Sequence, residues 1–214
     1  MKTFAIILSG CGVYDGSEIH ESTMLMLAIK KLGCEYELFA PDKEQYHVVN
    51  HLNGQVVNEK RNVLAESARI ARGNIKDLKL LEAKDFDSLI LPGGFGAAKN
   101  LSTYAIDGEK MSVDNEVVRV ILDFHKSNKP IGAMCIAPVI IAKVIPSALV
   151  TIGQDPKTAK DIMALGAKHK NSNKAEVVID YDNKIVTTPC YMLESNIADI
   201  YDGAYNLVNA LMKF

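Results

Sequence analysis

Lys129-Pro130-Ile131-Gly132-Ala133-Met134-Cys135-Ile136-Ala137-Pro138 places a single cysteine, flanked by small residues, at the end of a short apolar run. This pattern predicts a buried strand that turns sharply into a helix, the arrangement of a nucleophile elbow. The N–H groups and positive potential of a helix N-terminus favour a thiolate, so Cys135 is the candidate nucleophile. The alternative is that Cys135 is a small core hydrophobe, since free cysteine is among the most buried residue types.

Apolar runs of strand length recur along the chain and alternate with segments of helical periodicity. The runs cover residues 4–9, 36–40, 88–92, 130–134 and 148–152. Alternation of this kind is typical of βαβ units, in which a parallel sheet is covered by helices on both faces. With 214 residues and 48% apolar composition, the chain is sufficient for one core. The sequence therefore predicts one α/β domain spanning residues 1–214.

The intervening segments predict four helices and one hairpin. The helices cover about residues 17–33, 59–72, 155–165 and 194–212, and the hydroxyl of Ser17 is a candidate cap for the first. Residues 177–188 predict an antiparallel hairpin that turns at Asp182-Asn183. Residues 41–58 form a long polar segment that could cover an active site.

Composition excludes several classes of partner. The net charge of −2 gives no basic field for nucleic acid, and the apolar runs are too short to cross a membrane. The apolar run after Met1-Lys2-Thr3 is too short for a secretory signal, so we expect a cytoplasmic protein. The four cysteines, at 11, 34, 135 and 190, lack metal-site spacing and are expected to be thiols. We expect no metal and no cofactor, and a small molecule as partner.

Three loops that follow predicted strands carry unusual residues. They are residues 9–21, residues 92–100 and the elbow at Cys135. Because ligands gather at the carboxyl ends of parallel strands, the three loops are expected to form one pocket. Gly93 and Gly94 allow a close approach of backbone N–H groups, and with the N–H of Ile136 they could stabilise an oxyanion.

An acidic turn in the first of these loops supplies a candidate proton carrier. Glu18 and Glu21 lie three residues apart on one helix face, and burial would raise the pKa of either carboxyl enough for proton transfer. Each could instead complement the helix dipole as a solvated residue. His20 lies between them as a possible base or substrate contact, although its helical direction differs and a surface position fits it better.

Other chemistries have weaker signals. Gly10-x-Gly12-x-x-x-Gly16 with Asp42 is a variant dinucleotide fingerprint, but acidic residues near the pyrophosphate position oppose it. A glutaminase triad needs a histidine downstream of Cys135, and only His169 is available, in a segment that reads as a polar loop.

Several long motifs resemble the ElbB family of the ThiJ/PfpI superfamily, whose fold is class I glutamine amidotransferase-like. They include residues 9–21, Asn50-His51-Leu52, residues 92–101 and residues 134–138, and the similarity extends over essentially the whole chain. The resemblance implies a flavodoxin-like three-layer sandwich with a nucleophile elbow, in a homodimer. It implies Cys135 as nucleophile, Glu21 at the sulfur and Glu18 as a pocket neighbour.

The activity that the resemblance implies is that of a glutathione-independent glyoxalase, a cofactor-independent lyase of the hydro-lyase class. Glyoxal or methylglyoxal would be converted to glycolate or lactate through a Cys135 hemithioacetal, with Gly94 and Ile136 N–H groups at the oxyanion and Glu18 and His20 as substrate contacts. The family is linked by name to isoprenoid biosynthesis. Ile136 replaces the histidine that protease-like members carry, and residues 150–153 lack the orienting histidine of other members.

Two other classes of function remain open from the sequence. One is a redox or stress-responsive protein in which Cys135 is oxidised without efficient turnover. The other is a regulatory subunit whose pocket serves a partner enzyme.

Overall fold

A computed structural model describes residues 1–214, which fold as alternating strands and helices. The strands are β1 (Thr3–Ile7), β2 (Glu35–Ala40), β3 (Val48–Asn50), β4 (Gln55–Val57), β5 (Lys76–Asp77), β6 (Ser88–Leu91), β7 (Ile131–Met134), β8 (Leu149–Val150), β9 (Lys168–His169), β10 (Val178–Asp180) and β11 (Ile185–Thr188). The helices are α1 (Ile19–Lys31), α2 (Val63–Ile70), α3 (Phe95–Lys99), α4 (Tyr104–Asp107), α5 (Asn115–Lys126), α6 (Pro138–Val144), α7 (Pro156–Ala164) and α8 (Ile197–Leu211).

Seven strands form the central sheet, in the order β10-β11-β7-β6-β1-β2-β5. Every neighbouring pair is parallel except β10 with β11, which is the antiparallel hairpin. The core order β2-β1-β6-β7-β11 is the 2-1-3-4-5 order of flavodoxin-like folds. The predicted α/β sandwich with a mostly parallel sheet and a small hairpin is confirmed.

Alternating side chains of the strands bury two hydrophobic cores, one on each face of the sheet. In β1, Phe4 and Ile6 face the core that α1 and α8 cover, whereas Ala5 and Ile7 face the core beneath α5 and α6. All four side chains are fully buried. The two-residue period of a strand therefore gives the sheet its two apolar faces.

Several boundaries differ from the sequence-based predictions. The run at 148–152 does not join the central sheet, because β8 pairs with β9 in a separate two-stranded sheet. The first helix is capped by the Glu18 carboxylate rather than by Ser17, whose hydroxyl accepts a hydrogen bond from the N–H of Ser9 instead. The helix predicted over 59–72 is shorter, at Val63–Ile70. No helix in the structure is long and apolar enough to span a membrane.

The segment at 41–58 does not cover the pocket described below. It contains the β3–β4 hairpin, which packs against the loop after β1. The N–H of Val49 donates to the buried Asp15 carboxylate, and the N–H of Tyr14 donates to Nε2 of His51. A Cβ atom at Gly12 would lie 2.5 Å from Nε2 of His51, and the φ of 121° at this position also favours glycine.

Candidate active site

Cys135 lies at the turn between β7 and α6, where its backbone has a positive φ of 58°. A non-glycine residue in this region carries a strain of about 1–3 kcal/mol, which persists only where the surrounding structure enforces it. The N–H of Cys135 donates to the carbonyl of Thr188 on the neighbouring strand β11 at 2.9 Å. Gly132 allows the elbow to lie close to α8, because a methyl group there would lie 2.9 Å from Leu211. This is the predicted elbow geometry.

Glu21 lies in the first turn of α1, with its side chain fully buried beside the Cys135 thiol. Its Oε2 accepts a hydrogen bond from the N–H of Gly93 at 2.9 Å, whereas the buried Oε1 has no hydrogen-bond partner. Burial and, to a smaller extent, the charge of Glu18 raise the pKa of Glu21 to about 7. Interactions with Cys135 and with the N–H groups of Gly93 and Tyr191 oppose that rise. The carboxyl is therefore suited to accept and release a proton near neutral pH.

Gly93 is the backbone element that brings the thiol and the carboxyl together. A Cβ atom at this position would lie 2.4 Å from the Cβ of Cys135, 2.7 Å from Oε2 of Glu21 and 3.0 Å from the Cys135 sulfur. No side chain fits in that space. The glycine after β6 therefore determines how closely β6, the elbow and α1 can approach.

Glu18 connects the start of α1 with the loop after β6. Its carboxylate accepts a hydrogen bond from the N–H of Glu21 at 2.6 Å, and its own N–H donates to the carbonyl of Gly93 at 3.0 Å. Gly94 has a φ of 92°, and a Cβ there would lie 2.4 Å from the backbone nitrogen of Glu18. Glu18 thus holds the turn that places Glu21 at the sulfur, and it also faces the pocket.

The thiol of Cys135 has a pKa well above its ordinary value. The first cause is burial, followed by the charge of the Glu21 carboxylate and the interaction with that side chain, while the N–H groups of Gly94 and Ile136 near the sulfur lower the pKa. The N–H group of Ile136 at the helix N-terminus thus favours the thiolate, as expected, but it does not determine the resting state. Desolvation and a neighbouring carboxylate outweigh the helix N-terminus, so the resting pair is a thiol beside a titratable carboxyl.

A pocket of about 440 Å³ opens in front of Cys135. Its walls come from the loops after β1, β6 and β7, from α3 and α4, from the start of α7 and from the 3-10 turn that follows β11. The lining residues are Val13, Glu18, Gly94, Phe95, Ala98, Tyr104, Ala105, Cys135, Ile136, Asp155, Tyr191 and Met192. The three loops predicted to form one pocket do meet here. Tyr104, Asp155, Tyr191 and Met192 also line the pocket but were not predicted from the sequence, because their positions depend on long-range packing.

His20 is the predicted site residue that the structure separates from the pocket. Its ring is exposed and shares a hydrogen bond of 2.8 Å between Nδ1 and the hydroxyl of Tyr191, a pocket residue. His20 therefore contacts the pocket wall from outside.

His169, the histidine considered for a glutaminase triad, lies in β9, where its Nε2 accepts a hydrogen bond from the N–H of Ile152 at 3.4 Å. It does not line the pocket, and this arrangement gives no glutaminase triad.

The other candidate groups have structural contacts. Cys190 is buried behind the elbow, where burial raises the pKa of its thiol well above the ordinary value. Asp42, the possible ribose ligand, instead accepts a hydrogen bond of 2.7 Å from Asn62. Gly16 lies so close to Cys11 that an added Cβ would be 2.2 Å from its nitrogen. The glycine loop after β1 is thus packed against protein atoms. No three His, Cys, Asp or Glu side chains gather as a metal site.

A model of the DJ-1/PfpI family matches residues 11–190 of the sequence, a range that includes both Glu21 and Cys135. The chain belongs to the DJ-1/PfpI family. The predicted membership of the ThiJ/PfpI superfamily is therefore confirmed.

Relatives extend this similarity over almost the whole chain. The human "Glutamine amidotransferase-like class 1 domain-containing protein 3, mitochondrial" is 48% identical over 219 residues, covering 98% of this chain and 82% of that protein. The rat "ES1 protein homolog, mitochondrial" has the same identity and coverage. A crystal structure of an isoprenoid biosynthesis protein with an amidotransferase-like domain from Ehrlichia chaffeensis superposes with a TM-score of 0.92 at 34% identity, over 99% of both chains.

Solved structures of lower identity show similarity of the fold alone. The crystal structure of Drosophila melanogaster DJ-1beta has a TM-score of 0.56 and 17% identity, and covers 99% of this chain. The class I glutamine amidotransferase-like sandwich is therefore common to the group.

Proposed function

We propose that this protein is a glutathione-independent glyoxalase in which Cys135 is the nucleophile and Glu21 carries the proton. The observation that carries the proposal is the fully buried Glu21 carboxyl, with a pKa of about 7, beside the elbow thiol. A reaction that moves a proton between two carbons needs a group that both accepts and donates near neutral pH. Glu21 meets that requirement. We assign the chain to the ElbB branch of the family as part of the same proposal.

The first step joins the thiol to the aldehyde. The sulfur of Cys135 attacks the aldehyde carbon as the thiol proton passes to the Glu21 carboxylate and then to the former carbonyl oxygen, giving a hemithioacetal. The high pKa of the thiol means that attack and proton transfer occur together rather than from a preformed thiolate. The N–H groups of Gly94 and Ile136 lie near the sulfur, and in this proposal they donate to the developing oxyanion.

The second step isomerises the adduct, and the third releases the product. The Glu21 carboxylate removes the proton from the carbon bonded to sulfur and returns it to the neighbouring carbonyl carbon through an enediol, giving a 2-hydroxyacyl thioester. Water then cleaves the thioester, which restores the thiol and yields glycolate from glyoxal or lactate from methylglyoxal. The overall reaction adds one water and needs no oxidant, metal or thiol cofactor.

The redox alternative fits the site less well. A sensor cysteine is oxidised fastest as an accessible thiolate, whereas Cys135 is only 7% exposed and its pKa is raised.

We propose a cytoplasmic homodimer as the working form. Light scattering measures the oligomeric state, and fractionation of the source cells tests the compartment.

Proton NMR tests the activity. The protein is incubated with methylglyoxal without glutathione, and lactate is followed beyond one equivalent per chain. Continued formation that Cys135→Ala abolishes supports the glyoxalase. Consumption that stops at one equivalent contradicts it and favours a reactive cysteine without turnover.

A further inference from the structure

The pocket in front of Cys135 is larger than the smallest dicarbonyl substrates require. At about 440 Å³, it falls in the range of clefts that enclose drug-sized ligands. Glyoxal and methylglyoxal have only a handful of heavy atoms and would leave most of it to water. The unfilled space lies beside the reacting sulfur, so it would receive the substituent on the second carbonyl carbon.

The walls of this space are mainly apolar and aromatic. Phe95, Tyr104, Tyr191 and Met192 line it together with Ile136. The Phe95 ring is 45% exposed although it is a large apolar side chain. The ammonium of Lys99 lies 4.5 Å from the centre of that ring, a cation–π contact that helps to hold it. An exposed aromatic ring held at the entrance of an apolar pocket is suited to contact an apolar ligand.

The charges of the pocket are all negative. Glu18 and Asp155 are its charged lining residues, and no lysine, arginine or histidine lines it. Asp155 caps α7, and hydrogen bonds from the hydroxyl and N–H of Thr158 keep its pKa below the ordinary value. The nearby Lys99 ammonium is directed elsewhere, to the carbonyl of Tyr14 at 3.1 Å and to Nε2 of His47 at 3.0 Å. A phosphate or carboxylate on the ligand would therefore meet two carboxylates, whereas the one cation beside the entrance, Lys99, is already bound to other groups.

We propose that the pocket selects electrophiles with an uncharged apolar or aromatic substituent and rejects anionic ones. Under the proposed function, on which the identity of the reacting group rests, the preferred substrates are 2-oxoaldehydes with an aryl or alkyl group rather than phosphorylated or carboxylated dicarbonyls. A cationic substituent is accepted more readily than an anionic one of the same size.

Covalent labelling of Cys135 tests this selectivity without any need for turnover. The full chain is treated with four methanethiosulfonates that carry methyl, benzyl, sulfonatoethyl or trimethylammonioethyl groups, and peptide mass spectrometry measures the rate at Cys135. Each rate is divided by the rate of the same reagent with free cysteine. We expect benzyl to exceed methyl, and the cationic reagent to exceed the anionic one by about tenfold or more at low salt. Added salt should reduce the second ratio.

A matched pair of variants locates the charge effect. Asp155→Asn keeps a residue that caps helices well and should lower the ratio of cationic to anionic labelling, whereas Asp202→Asn, at an exposed position in α8, should leave it unchanged. Equal rates for the two charged reagents, or a benzyl rate no higher than methyl, would overturn the proposal. If the labelling pattern holds but no 2-oxoaldehyde turns over, the proposed glyoxalase fails while the selectivity of the pocket stands.

Discussion

Replacing Glu21 by glutamine should remove a measurable part of the pH dependence of stability. The carboxyl has a pKa of about 7 in the folded protein, against an ordinary value of 4.5. Because the folded state holds this proton more tightly than the unfolded state does, the stability from Glu21 is fully present below pH 4.5. It is lost progressively as the pH rises from 4.5 to about 7, where the unfolded chain has already released its proton.

The size of the effect follows from the difference between the two pKa values. At about 1.4 kcal/mol per unit, the shift of Glu21 corresponds to a loss of about 3 kcal/mol in the free energy of unfolding across this window. Glu21→Gln has no proton to lose and should lack this contribution. The free energy of unfolding of wild type minus that of the variant should therefore fall by about 3 kcal/mol between pH 4 and pH 7.5.

Urea unfolding at closely spaced pH values measures this difference. Glu82→Gln is the matched control, because Glu82 is exposed and its side chain makes no capping hydrogen bond. That variant should follow wild type at every pH. If Glu21→Gln also runs parallel to wild type across the window, Glu21 does not carry a raised pKa, and the reasoning that assigns it the proton transfer fails.

Three further predictions concern the chemistry. The value of kcat/KM for methylglyoxal should rise with pH through about 7 as Glu21 loses its proton, and a profile without this limb would contradict its role as base. Gly93→Ala should lower turnover by about 100-fold or more, because the new methyl would lie 2.4 Å from the Cβ of Cys135. Gly54→Ala strains the backbone at a φ of 73° but meets no atom within 4 Å, and since this exposed position lies outside the pocket, activity should remain. In D₂O, part of the lactate formed should carry ordinary hydrogen at C2, because Glu21 is buried from solvent and returns the proton that it removed. Complete deuteration at C2 would indicate a base in contact with water.

Much of the fold could be predicted because its signals are local. The uninterrupted apolar run of β1 and the small residues of the elbow both indicate burial in the sequence itself. The run at 148–152 was wrongly predicted to belong to the central sheet, because an apolar run has the same pattern whichever sheet it joins. Here the N–H of Leu149 donates to the Asp180 carboxylate, and the strand pairs with β9 outside the central sheet.

The site could be predicted in its parts but not in its electrostatics. The motifs identified Cys135, Glu21 and Gly94, and the structure brings all three together. Whether the pKa of the Cys135 thiol is raised or lowered depends on burial by distant segments and on the distance to Glu21. The spacing of motifs along the sequence reveals neither. The pocket walls were missed for the same reason, because Tyr104 and Tyr191 come from segments without a local functional signal.

Turnover in Glu21→Gln, compared with that in Cys190→Ala, shows whether Glu21 carries the proton. Glu21 is proposed to move the proton, whereas Cys190 is a buried thiol that does not line the pocket. Product formation from glyoxal and methylglyoxal is followed by proton NMR without glutathione. We expect Glu21→Gln to abolish sustained formation of glycolate and lactate and Cys190→Ala to keep it. Sustained turnover by Glu21→Gln would show that Glu21 does not carry the proton.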